Sequence, residues 1–157
     1  MVPVTYMSVL APERQPELEA LLFFNPNQHR VREKIVSAIK EFGIPRISLE
    51  SDRLRVQLEG TEVQTLYAVA HEPHGDRLAG VAIYTRADAR TFLLLHLAVS
   101  EEYSIHGKQT AQMLAVRFLA ELRRIVARVK GVEVLRVFYG SGATRDIPVP
   151  PASNVVA

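Results

Sequence analysis

One histidine stands alone among apolar residues. His96 lies inside the run TFLLLHLAV, residues 91–99, where nearly every neighbour is aliphatic or aromatic. Imidazole titrates in the range where a general base works. Burial disfavours its charged form, so a neutral, proton-accepting ring is expected at pH 7. The competing reading is a core histidine satisfied by a backbone carbonyl. A second group, His71, Glu72, His74 and Asp76 in HEPHGD, has metal-ligating side chains at a spacing that fits no structural metal motif. Pro73 and Gly75 give that stretch turn chemistry, so a solvated hairpin tip is expected there, with no metal. Glu101 and Glu102 directly follow the apolar run. They could face a cationic amine, or be plain solvated charges.

A third place is a turn. The stretch SEEYSIHGKQTAQML, from Ser100 to Leu114, passes from an apolar run through Gly107 into a helical pattern. Backbone N–H groups at a helix start are unpaired and carry the positive end of the helix dipole. A phosphate can sit on them where no side chain blocks its approach, and Gly107 keeps one such place open. Lys108 and His106 could add positive charge. Alternatively, Gly107 only permits a tight strand-to-helix turn.

The elements that must hold these groups follow from periodicity. PERQPELEALLFF predicts a helix from about Pro12, with Leu18, Leu21 and Leu22 on its inner face. A second helix is expected from Gln28 to Phe42, with Val31, Ile35, Ala38, Ile39 and Phe42 as its apolar stripe and Gly43 as its stop. A short extended piece, Arg46 to Leu49, follows. RLRVQLEG alternates, placing Leu54, Val56 and Leu58 on one face of a half-buried strand. VQTLYAVA, LAGVAIYT and TFLLLHLAV come next across short connections, which predicts an antiparallel meander covered on both faces. Ala111, Leu114, Ala115, Phe118, Leu122, Ile125, Val126 and Val129 then recur every three or four residues, as in a long amphipathic helix ending near Gly131. VEVLRVFY is a last strand. A strand, a helix and a strand in succession predict a right-handed crossover, with this strand parallel to the His96 run.

The bulk composition agrees with such a domain. The chain has 157 residues, 48% hydrophobic and 23% charged, enough for one core. Net charge is only +2, and the arginines at 123, 124 and 128 have no interleaved aromatics to stack bases. No nucleic-acid partner is expected. Cysteine is absent, which excludes disulfides, thiolate metal sites and cysteine nucleophiles and suits a cytoplasmic setting. No apolar run approaches the roughly 20 residues that span a bilayer, and the N-terminal stretch has no secretion pattern, so no membrane partner is expected. Residues 1–140 are expected to form a single domain, and 141–157 a Gly/Pro-rich tail.

Two helices, a meander, a long helix and a parallel strand form an order that resembles the GNAT superfamily of acyl-CoA-dependent N-acyltransferases. The resemblance covers roughly Ala11 to Tyr139. It rests most on LAVSEEY and the turn after it, where the family has a Gln/Arg-x-x-Gly-x-Gly/Ala pattern. Here Gly107 matches, while Ser104 and Gln109 depart from it. The resemblance implies an α+β fold with helices on both faces of the sheet. It also implies an acetyl-CoA or other acyl-CoA co-substrate held by Leu97, Ala98, Val99, Gly107, Lys108, Gln109 and Thr110. His96 would be the general base. The family's tyrosine acid sits on a later helix with no counterpart here, which leaves Tyr139, at the end of the last strand, as a positional substitute; its other reading is an aromatic covering the core. The acceptor would be a small-molecule or peptide amine attacking the thioester directly, with no covalent enzyme intermediate, since cysteine is absent. The alternative is a degenerate, non-catalytic GNAT-like domain that binds CoA or another ligand, or serves as a protein-interaction module. With the family's last strands missing, VEVLRVFY would become a sheet edge, and a homodimer is expected to cover it.

Overall fold

The computed structural model describes residues 2–23, 45–58, 60–103, 113–138 and 144–150. The fold is mixed α+β. Strand β1 spans Val4–Met7, and a 3-10 turn, Pro12–Arg14, leads into helix α1, Gln15–Phe23. Strands β2 (Arg46–Glu50), β3 (Arg53–Gln57), β4 (Gln64–Glu72), β5 (Gly75–Arg86) and β6 (Thr91–Val99) follow. Helix α2 (Leu114–Val126) then leads to β7 (Val134–Phe138) and β8 (Thr144–Pro148). Six strands form one sheet in the order β1-β4-β5-β6-β7-β8, and β2 and β3 pair separately. Every neighbouring pair is antiparallel except β6 and β7, which are parallel. That parallel pair is the crossover partnership expected of a strand, a helix and a strand.

Each face of the large sheet has its own core. On one face, Leu114, Phe118, Leu122 and Val126 of α2 pack on Ala68, Ala70, Ala82, Phe92 and Leu94. These four helix residues recur every four residues and are fully buried, so the amphipathic pattern is realised. Gly80 lets this helix come close: a Cβ there would lie 2.8 Å from the Phe118 ring. On the other face, Leu18, Leu21 and Leu22 of α1 join Leu54, Val56 and Leu58 over Tyr67, Val69, Val81, Ile83 and Leu95. Two covered faces explain why β4, β5 and β6 read as nearly continuous apolar runs.

Several expectations change. The strand RLRVQ does not open the meander. Ser51 and Asp52 both have positive φ, 51° and 60°, which makes a two-residue turn of the primed kind, and β3 folds back on β2. Alternation had shown which side of β3 is buried; it could not say which strand pairs with it. β4 takes β1 as its outer neighbour instead, a four-residue strand not anticipated at all. In the helix, Ala115 is exposed rather than on the buried stripe.

The largest correction concerns the C-terminal segment, expected as a loop or tail. Thr144–Pro148 is a strand paired antiparallel with β7. Arg136 holds Asp146 at 2.8 Å, Arg123 donates to the Pro148 carbonyl at 2.6 Å, and Val149 is buried. Proline is tolerated there because β8 is the edge strand, where a missing N–H leaves no partner wanting. β7 is therefore an interior strand, and the bare edge from which a homodimer was argued is filled by the chain itself. The expected Gln28–Phe42 helix lies outside the described residues. Among the described residues, no helix is long and apolar enough to cross a membrane.

Candidate functional site

The site is built on the second half of β6. Register pairs Thr91, Phe92, Leu93 and Leu94 with Val134 to Val137 of β7, and there the described pairing ends. β6 continues to Val99, still paired with β5 on its other side.

A bulge sits at the end of this described pairing. Tyr84 pairs with Leu94 and Ile83 with His96, so Leu95 is an extra residue on β6. The effect is visible in the packing: Leu94 belongs to the α2-side core and Leu95 to the α1-side core. Bulges re-aim side chains and backbone and recur beside active sites. His96 shares its register position with Ile83, whose side chain lies in the α1-side core, so His96 faces that side too. It is half-buried, not enclosed as its apolar neighbours suggested. Aliphatic residues flank it in sequence, but the bulge places it at the end of the two-sided part of the sheet.

Beyond the bulge, Ala98 is buried and Leu97 and Val99 are half-buried against the α2-side core. The Ser100 N–H donates to the Ala79 carbonyl at 2.8 Å. Alternation along an antiparallel ladder then turns the backbone groups of Ala98 toward β5, and those of Leu97 and Val99 toward the β7 side of the strand.

After β6, a 3-10 turn, Glu101–Tyr103, begins the passage to α2. Tyr103 is buried and its hydroxyl donates to Glu72 Oε1 at 2.9 Å. Arg77 contacts Glu72 at 3.1 Å and Glu102 at 2.5 Å. Burial, reinforced by the Glu72 carboxylate, raises the Tyr103 phenol well above its ordinary range. This network ties the start of the turn to the β4–β5 hairpin. Glu102, read as either a solvated charge or an amine-facing one, is engaged by Arg77. The network escaped notice in the sequence because the hairpin register, Glu72 with Gly75 and Ala70 with Arg77, is what brings these residues together.

Ser104, His106, Gly107, Lys108, Gln109 and Thr110 of the turn, and Tyr139 after β7, lie outside the described residues. Among the described residues, no three His, Asp or Glu side chains gather as metal ligands. A surface depression of about 450 Å³ beside the β2–β3 hairpin is lined by Arg46, Arg55, Gln57, Thr61 and Glu62, among others, and by no residue of β6. Comparison of the chain with protein families, with curated proteins and with solved structures finds no match.

Proposed function

We propose that this chain is a GNAT-like acyl-CoA-binding protein that moves an acetyl or longer acyl group to a small-molecule or peptide amine. What supports this reading is the bulge at Leu95 of β6, at the end of its described pairing with β7, followed by Leu97–Val99 and, further along the sequence, by Gly107. The Leu97 N–H, turned toward the β7 side of the strand, would hold the acyl carbonyl. The acyl-CoA supplies the thioester. His96, beside the bulge, takes the proton from the attacking amine, and the reaction rests mostly on positioning and deprotonation. The pyrophosphate is assigned to the turn at Gly107 and Lys108.

A second reading, ligand binding without acyl transfer, is favoured by Glu102. It is the acid nearest the end of β6 whose partner is known, and Arg77 occupies it. Calorimetric titration with acetyl-CoA and free CoA tests both. Micromolar binding, weakened by Gly107→Glu, supports the shared site; amine-dependent release of CoA, lost in His96→Gln, then selects the transferase. Absence of binding at millimolar ligand removes both readings.

A further inference from the structure

A different set of groups meets near the β1 edge of the sheet. Thr5 Oγ1 lies 2.7 Å from His71 Nε2, and His71 Nδ1 lies 2.8 Å from Asp76 Oδ1. Thr5 comes from edge strand β1, His71 from β4 and Asp76 from β5. His71 and Asp76 are register partners, while Thr5 is partnered with Val69, two residues before His71 on the same face. A hydroxyl, an imidazole and a carboxylate in that order, each within hydrogen-bond reach of the next, is the arrangement of an activated nucleophile, its base and the group that orients the base. With Asp76 accepting from Nδ1, Nε2 is left to accept the Thr5 proton.

Two further features fit. All three side chains are accessible: Thr5 is exposed, and His71 and Asp76 keep 39% and 47% of their side-chain surface. The Pro3 carbonyl accepts from the His71 N–H, so ladder alternation turns the Tyr6 N–H away from β4, toward the side of β1 that pairs with no other strand among the described residues. An N–H on the residue after a nucleophilic hydroxyl is where an oxyanion donor stands in other hydrolytic sites.

We infer that Thr5, His71 and Asp76 form an acyl-accepting site that reacts with activated acyl esters. The Thr5 oxygen forms a bond to the ester carbonyl carbon and passes its proton to His71 Nε2. The ester C–O bond breaks, and the departing alkoxide takes that proton. Water then repeats the sequence and frees Thr5 and the carboxylic acid. No residue of β6 takes part, so this inference stands apart from the acyl-CoA reading.

The test treats the full chain with p-nitrophenyl acetate and maps acetyl groups by peptide mass spectrometry. The expected result is acetylation at Thr5, retained in Thr5→Ser and absent in Thr5→Val, a near-isosteric change that suits a strand. His71→Gln is expected to slow it about 100-fold, the contribution of a general base. Asp76→Asn is expected to slow it about tenfold. Equal p-nitrophenol release by Thr5→Val, or acetyl groups on lysine and the N-terminus with none on Thr5, overturns the inference. Should Thr5→Val not fold, judged by circular dichroism, the acetylation map of the unmodified chain and of Thr5→Ser decides.

Discussion

The two halves of β6 belong to the same strand and have different surroundings. Thr91–Leu94 has a partner on each side, β5 and β7, and a core on each face. Leu95–Val99 begins with a bulge and runs past the end of the β7 pairing. The first half is the sheet's centre, where apolar side chains secure the fold. In the second half, Ala98 turns its backbone groups toward β5 and Leu97 turns its own toward the β7 side. The comparison teaches where to look for function in a strand that reads, letter by letter, as uniformly apolar.

Substitutions can break or sharpen this contrast. Leu94→Ala, in the first half, is expected to cost about 2–5 kcal/mol of stability, measured by urea unfolding. Leu97→Ala, in the second half, is expected to cost nearer 1 kcal/mol, since its side chain is only half-buried. Similar losses at both positions would erase the distinction. Gly80→Ala acts on the β5 strand beside the second half. Its Cβ would stand 2.8 Å from Phe118 and 3.1 Å from the Ala98 carbonyl, and Phe118 is fully buried. A loss of about 1–3 kcal/mol is expected, read as a lowered urea midpoint.

Tyr103 gives a smaller effect with a pH signature. Tyr103→Phe removes the hydrogen bond to Glu72 and should cost about 1 kcal/mol at neutral pH. The Tyr103 phenol is raised in the folded protein by burial, then by Glu72 and Glu102. Its contribution is therefore fully present below the unfolded value of about 10 and is lost as pH rises above it. Tyr6, Tyr67 and Tyr84 are raised by burial in the same direction. Melting temperature should fall above about pH 10, and Tyr103→Phe should flatten part of that fall. The smallest effect concerns Glu121, which Arg124 holds below its ordinary carboxylate value. That contribution is present above the unfolded pKa and lost as pH falls into the acid range, so Glu121→Gln should remove a slight acid destabilisation seen by the same melting series.

Much of the architecture was legible because it rests on periodicity. Leu54, Val56 and Leu58 alternate, and Phe118, Leu122 and Val126 recur at helical spacing, so their burial could be read directly. The parallel relation of β6 and β7 followed from the helix between them. Pairing was less accessible. A strand's alternation names its buried face but not its neighbour, which is why β3 was assigned to the wrong partner. Thr144–Pro148 was hidden by the Gly, Pro and Ser around it, although Ile147 and Val149 repeat at strand spacing. The end of β6 was recognised as the candidate site from LAVSEEY. The bulge was not, because a run apolar on both faces conceals a change of phase. Thr5 gave no signal at all, since its partner His71 is 66 positions away.

That separation also orders the events of folding. β4, β5 and β6 are consecutive and joined by short turns, whereas each ladder contact of β1 closes a span from Val4–Met7 to Tyr67–Ala70. Long spans are entropically slow to close, so the meander should form first and β1 should dock afterwards. Thr5 and His71 are assembled only by that docking. Acetylation of Thr5 during refolding would therefore act as a clock for the arrival of the edge strand.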